Sequence, residues 1–144
     1  MSIIMVNNRT FSLIKPSAVK NDYHGEIIYL ITKAGFKLKA IKMVKLSIED
    51  ASRFYAMHKG KEFFDELIRF ISSGPILALV LEKENAVEDF RKLIGATNPA
   101  KAEHGTIRQQ FGESITKNAV HGADSSENAQ KEWSFFFSER EILN

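Results

Sequence analysis

Ile76-Leu77-Ala78-Leu79-Val80-Leu81 is an unbroken apolar run of strand length. A half-exposed strand alternates polar and apolar residues, and this one does not. It therefore reads as a central strand buried on both faces. Working outward, Ser72-Ser73-Gly74-Pro75 is a turn that closes a helix marked by Phe64, Leu67, Ile68 and Ile71. On the other side Val87, Phe90 and Ile94 mark a helix ending at Gly95.

Nearer the N-terminus, Thr10-Phe11-Ser12-Leu13-Ile14 alternates as a strand and Lys15-Pro16 ends it. Ile27, Leu30, Ile31 and Ala34 recur at helical spacing, with Gly35 at the C-cap. Phe36 to Ala40 alternates as a second strand. Its phase then slips, because Ile41, Met43 and Leu46 fall on the other parity, and a bulge near Ala40 repairs the register. Ser47 caps a helix with Asp50 in its first turn, and Ala51, Phe54, Tyr55 and His58 continue it on one face. From about Ala96 to Lys117 neither period holds, and an aperiodic stretch of roughly 20 residues in a compact domain is often functional. Asn118-Ala119-Val120-His121 reads as a short strand. Asp124, with Glu127 three residues on, reads as the cap of a last helix running to about Phe135. The order points to an α/β sandwich, a sheet covered by helices.

Bulk properties narrow the function. A chain of 144 residues suits one domain with a core of its own. With 44 % hydrophobic and 26 % charged residues it reads as a soluble globular protein. The absence of cysteine removes disulfide scaffolds, thiol nucleophiles and thiolate metal sites. A net charge of +2, with both signs interspersed, speaks against a nucleic-acid binder. Met1 to Asn8 is apolar but short and lacks a basic leader, so a signal peptide is not expected. No run approaches the roughly 20 apolar residues of a membrane span, so the cytoplasm is the expected compartment.

No Walker-type loop, G-x-G-x-x-G turn or H-E-x-x-H motif is present, so phosphate binding would fall to side chains. His121-Gly122-Ala123-Asp124 is the segment that carries chemistry. A histidine ends a strand and a helix starts beyond it, where backbone N–H groups favour phosphate. An imidazole with a pKa of about 6.5 is largely neutral at pH 7 and can act as a nucleophile. Taken alone, a histidine beside a turn is more often a cap or a surface residue. His24 reads as a helix cap or solvent-facing, His104 as exposed, and His58, on one face with Tyr55, as a packing residue more often than one bordering a site. Phe63 lies off its helix's apolar stripe. Lys15, Arg91 and Arg108 look like surface cations.

Several segments, in order, resemble the nucleoside diphosphate kinase family. They are Thr10 to Pro16, Gly60-Lys61-Glu62-Phe63-Phe64, Ser73-Gly74-Pro75, Gly95-Ala96-Thr97-Asn98-Pro99-Ala100, Gly105-Thr106-Ile107-Arg108, and Asn118-x-x-His121-Gly122-x-Asp124-Ser125. The likeness runs from about Arg9 to Phe137 and identifies the chain as one domain of that family. It implies a ferredoxin-like α+β sandwich on an antiparallel four-stranded sheet. It also implies a ping-pong reaction, in which a nucleoside triphosphate such as ATP phosphorylates a histidine and a nucleoside diphosphate collects the phosphate.

Carried onto this chain, the resemblance makes His121 the nucleophile and Glu132 the partner of its other ring nitrogen. Lys15, Arg91, Thr97 and Arg108 would hold phosphates, with Lys15 and Asn118 reaching the sugar hydroxyls. Phe63 would stack on the base, and Tyr55 and His58 would line the pocket. Mg²⁺ would be held by the phosphates and water rather than directly by the protein. A homo-oligomer, tetramer or hexamer, is implied, and the short stretch after Phe137 makes a long C-terminal tail an unexpected contributor to it. One position departs from the family pattern, since Ala123 stands where a serine is usual. A non-catalytic nucleotide-binding relative is the main rival, and the retention of His121, Lys15, Asn118 and Arg108 opposes it.

Overall fold

The computed structural model describes residues 8–144, so most of the N-terminal stretch read above for a signal peptide lies outside the described residues. The apolar hexamer forms β3 (Ile76–Glu82), and every residue of it but Glu82 is buried. It lies between β1 (Arg9–Ile14) and β2 (Lys37–Val44), and β4 (Val120–Gly122) pairs with the far side of β1. All three pairings are antiparallel, giving the order β2-β3-β1-β4. This is the ferredoxin-like arrangement, with β-α-β-β-α-β as its chain order. The bulge falls between Leu38 and Ala40, where the phase slip placed it.

Because side chains alternate across a strand, the run supplies two cores. Ala78 and Val80, with Phe11 and Leu13, face α3 (Ile48–Phe54), α4 (Phe64–Ile71) and α7 (Ser126–Phe136). Leu77, Leu79 and Leu81 face α2 (His24–Lys33) and α5 (Ala86–Ile94), and Ile107 joins them from α6 (Ile107–Phe111). No helix among the described residues is long and apolar enough to cross a membrane.

Four sequence expectations are corrected. Pro16 ends the strand but also opens a short helix, α1 (Pro16–Lys20), because its fixed φ suits the first helical position. The helix after Ser47 stops at Phe54, and His58 lies in a separate 3₁₀ turn, Ala56–His58. Ser125, not Asp124, caps α7 and accepts from the Asn128 N–H, while Asp124 accepts from the Asn128 side chain. The aperiodic stretch is not structureless, since it holds a 3₁₀ turn at Pro99–Lys101 and α6. These elements are too short to show a period.

Candidate active site

β4 is only three residues long, and the backbone before it is tightly folded. The Val120 N–H donates to the Asn118 carbonyl at 3.0 Å around Ala119, whose φ is +77°. This is a γ-turn in the sterically costly hand. The Lys15 N–H holds it by donating to the Ala119 carbonyl at 2.8 Å. The turn brings Asn118 against the end of β1 and sets His121 opposite Leu13.

Lys15 is 6 % exposed, and its Nζ donates to Asn118 Oδ1 at 2.8 Å. The Asn118 Nδ2 in turn donates to the Thr97 carbonyl at 3.0 Å. Burial, and then the Arg108 guanidinium, pull the Lys15 ammonium down to about 7. Arg108 is anchored by its own backbone contacts, donating to the carbonyls of Val120 and Gly95 at 3.0 Å each. Burial first, then Arg91, lower it to about 10, so it stays charged at neutral pH. Gly95 is required here. Its φ is +88°, and a Cβ would lie 2.5 Å from Thr106 Oγ1, blocking the approach of α6 and with it Arg108.

The His121 ring is bound through Nε2, 2.8 Å from Glu132 Oε1. Glu132 lies on α7, one helical turn beyond the buried Ala129. A carboxylate there holds the proton on Nε2 and leaves Nδ1 with a free lone pair. The rings of Phe54 and Tyr55 stand edge-on to the imidazole at 5.9 and 6.2 Å. The Tyr55 hydroxyl is buried without a protein partner; burial, then Glu132, push its pKa up. His58 is lowered by burial, then by Lys61, whose Nζ lies 3.1 Å from its Nδ1.

Nine of the ten residues singled out in the sequence, Lys15, Tyr55, His58, Phe63, Arg91, Thr97, Arg108, Asn118 and His121, line one cleft of about 1030 Å³. Glu132 lies behind the imidazole, facing a smaller recess of about 250 Å³. Lys15, read as a surface cation, is buried instead, its side chain turned onto Asn118 beside the γ-turn. Sequence reasoning missed Ile115, which lines the cleft and is 58 % exposed, and Lys92 and Lys101 at the same cleft. Ile115 sits in an aperiodic loop and gives no pattern by which to find it.

Ala123 is fully buried, in the same apolar cluster as Ala129 of α7. A hydroxyl at this position would enter the layer of the core that α7, the helix carrying Glu132, packs against. A hydrogen bond to a charged group is worth roughly 1.5–3 kcal/mol at most. Ala123→Ser is therefore expected to match or exceed the wild-type kcat. A clearly slower variant in steady-state assays would contradict this account of the position.

An antiparallel sheet that delivers a carboxylate-held imidazole to a cleft lined with cations makes a phosphate-handling enzyme. The comparisons carry this to a family. The family model described as Nucleoside diphosphate kinase matches residues 8–142. A nucleoside diphosphate kinase of Flavobacterium psychrophilum is 54 % identical over 137 residues, covering 95 % of this chain and 99 % of that one. One from Chlamydia felis is 54 % identical over 94 % of this chain and 96 % of its own. Among solved structures, the Aquifex aeolicus nucleoside diphosphate kinase superposes with a TM-score of 0.92 at 42 % identity, covering 94 % of this chain and 99 % of that one. A halophilic nucleoside diphosphate kinase from Halobacterium salinarum, in complex with CDP, gives 0.91 at 35 % identity, over 96 % of this chain and 92 % of that one. The chain belongs to the nucleoside diphosphate kinase family, enzymes that transfer phosphate between nucleotides.

Proposed function

We propose that the chain transfers the γ-phosphate of a nucleoside triphosphate to a nucleoside diphosphate through a phosphohistidine at His121. The observation that carries this reading is the Nε2–Glu132 bond at 2.8 Å on a ring that lines the cationic cleft. In the first half-reaction the Nδ1 lone pair attacks the γ-phosphorus. A P–N bond forms, the bond to the β,γ-bridging oxygen breaks, and the diphosphate leaves. In the second, a terminal oxygen of another nucleoside diphosphate attacks that phosphorus and Nδ1 departs with its electron pair. The Nε2 proton stays on the ring throughout, so the phosphorylated imidazole is cationic and Glu132 stabilises it.

Such transfers ask mainly for alignment and charge compensation. Lys15, Arg91, Arg108 and the Thr97 hydroxyl surround the phosphates, and Lys15 and Asn118 meet the sugar hydroxyls. Tyr55 and His58 complete the wall. Among the described residues there is no cluster of three or more carboxylate or imidazole groups fit to hold a metal. A Mg²⁺ ion would be carried by the phosphates and water, and when bound would offset their negative charge. The reading brings with it a cytoplasmic protein with no nucleic-acid partner, and a tetrameric or hexameric assembly, which native mass separates.

The base would stack on Phe63, 45 % exposed, with Ile115 lining the same cleft. Apolar walls accept every base, so ATP, GTP, CTP, UTP and their deoxy forms should differ little as donors. Stacking on one ring is worth roughly 1–3 kcal/mol, so Phe63→Ala is expected to raise KM by about 5- to 150-fold for all nucleotides with little change in kcat. The two-step scheme is tested by initial rates at several fixed donor concentrations. Parallel double-reciprocal lines are expected; intersecting lines would indicate a ternary complex and direct transfer.

A further inference from the structure

Two of the side chains lining the cleft have large exposed faces, Phe63 and Ile115. Phe63 precedes the first turn of α4, and Ile115 lies in the loop between α6 and β4. The two segments are joined through side chains. Thr116 Oγ1 donates to Glu66 Oε1 at 3.3 Å, and Lys117 Nζ lies over the Phe70 ring, 5.9 Å from its centroid. Glu66 and Phe70 are four residues apart and so lie on one face of α4. Thr116 and Lys117 are consecutive and directly follow Ile115.

The loop behaves as one piece. The Glu113 and Ser114 N–H groups both donate to the Lys117 carbonyl, at 2.7 and 3.3 Å, and the Lys117 N–H donates to Ser114 Oγ at 3.0 Å. Its far end is fixed through Asn118, which is tied to Lys15 and Thr97. The two side-chain links tie this unit to α4.

We propose that Glu66, Thr116 and Lys117 form a clasp that ties the Ile115 loop to α4 and so holds in place the slot that Phe63 and Ile115 line. They are positioning residues for nucleotide binding. The proposal rests on reading that slot as the base site. A slot already held in place spares the bound nucleotide the cost of ordering the loop. Each link is individually weak, so its loss is felt in residence time rather than in the chemical step.

Thr116→Val keeps the side-chain shape and removes the hydroxyl. It is expected to raise KM for ADP and GDP alike by roughly 3- to 10-fold, the size of one net hydrogen bond. The single-turnover rate of phosphate transfer at saturating nucleotide should be unchanged, and Thr116→Ser should keep the wild-type KM. Amide hydrogen exchange at residues 113–117 without nucleotide should be faster in Thr116→Val than in wild type. Unaltered exchange, an unaltered KM, or a slower transfer step would overturn the clasp. If exchange quickens but Phe63→Ala leaves KM where it was, the base-slot reading fails instead.

Discussion

His121→Gln should lower phosphate transfer by at least about 10⁵-fold while leaving nucleotide affinity within roughly threefold. Holding a nucleophile in line with its phosphate is worth on the order of 7–11 kcal/mol, and that advantage disappears with the ring. Glutamine is the informative replacement. It is neutral, similar in length, and its amide can still donate to Glu132, which receives the ring's Nε2–H at 2.8 Å in the native protein. The core around position 121 is therefore left intact. Affinity is retained because Lys15, Arg108 and Phe63 are untouched. Steady-state kcat and equilibrium ADP binding check both halves. A residual rate within about 100-fold of wild type would mean that another group accepts the phosphate.

Lys15→Met should move stability and activity in opposite directions. The ammonium is buried and, among the described residues, has one acceptor, Asn118 Oδ1. Its pKa falls from 10.5 to about 7 on folding, through burial and then Arg108. The sign follows from linkage. Between about 7 and 10.5 the unfolded chain binds more protons than the folded one, so wild-type stability rises with pH across that window. An apolar side chain removes the cost of burying the ammonium, offset in part by about 1–3 kcal/mol for the Asn118 Oδ1 acceptor left without its donor. The methionine variant should therefore melt at a higher temperature at pH 6, and the gain should shrink by pH 9.

Turnover in the same variant should fall by about 10²–10³-fold, the effect of removing one preorganised donor to developing charge. Bound phosphates favour the charged ammonium, so wild-type binding takes up a proton and weakens as pH rises above about 7. Lys15→Met should lose that slope. A variant less stable than wild type at pH 6, or one with the wild-type pH dependence of affinity, would contradict this account.

The fold was largely legible because its strongest signal is local. Six consecutive apolar residues require cover on both faces, and the parity slip around Ala40 reports the bulge directly. The missed helices, α1 and α6, are five residues each, shorter than two turns, and no period can emerge from them. The site divides the same way. The His121-Gly122 step is visible in sequence because strand end, glycine and helix start are adjacent. A Cβ at Gly122 would sit 3.0 Å from Phe90 and Ile94 atoms, which explains the glycine by packing rather than by chemistry.

The partners of His121 come from afar. Glu132 arrives because α7 lies across the sheet, and Lys15 because β1 pairs with β4. Burial of Lys15 and part-burial of Arg108 are properties of that assembly, so composition alone assigns them to the surface. The family resemblance supplied their roles, and the topology supplies the reason they meet.

The central claim is that the His121 imidazole takes the γ-phosphate. Protein incubated with ATP labelled at that phosphate, without acceptor, should retain close to one label per chain. The label should be acid-labile and base-stable, should map to His121, and should leave on addition of any nucleoside diphosphate. An unlabelled protein, an acid-stable label, or a label that persists in His121→Gln would contradict the account.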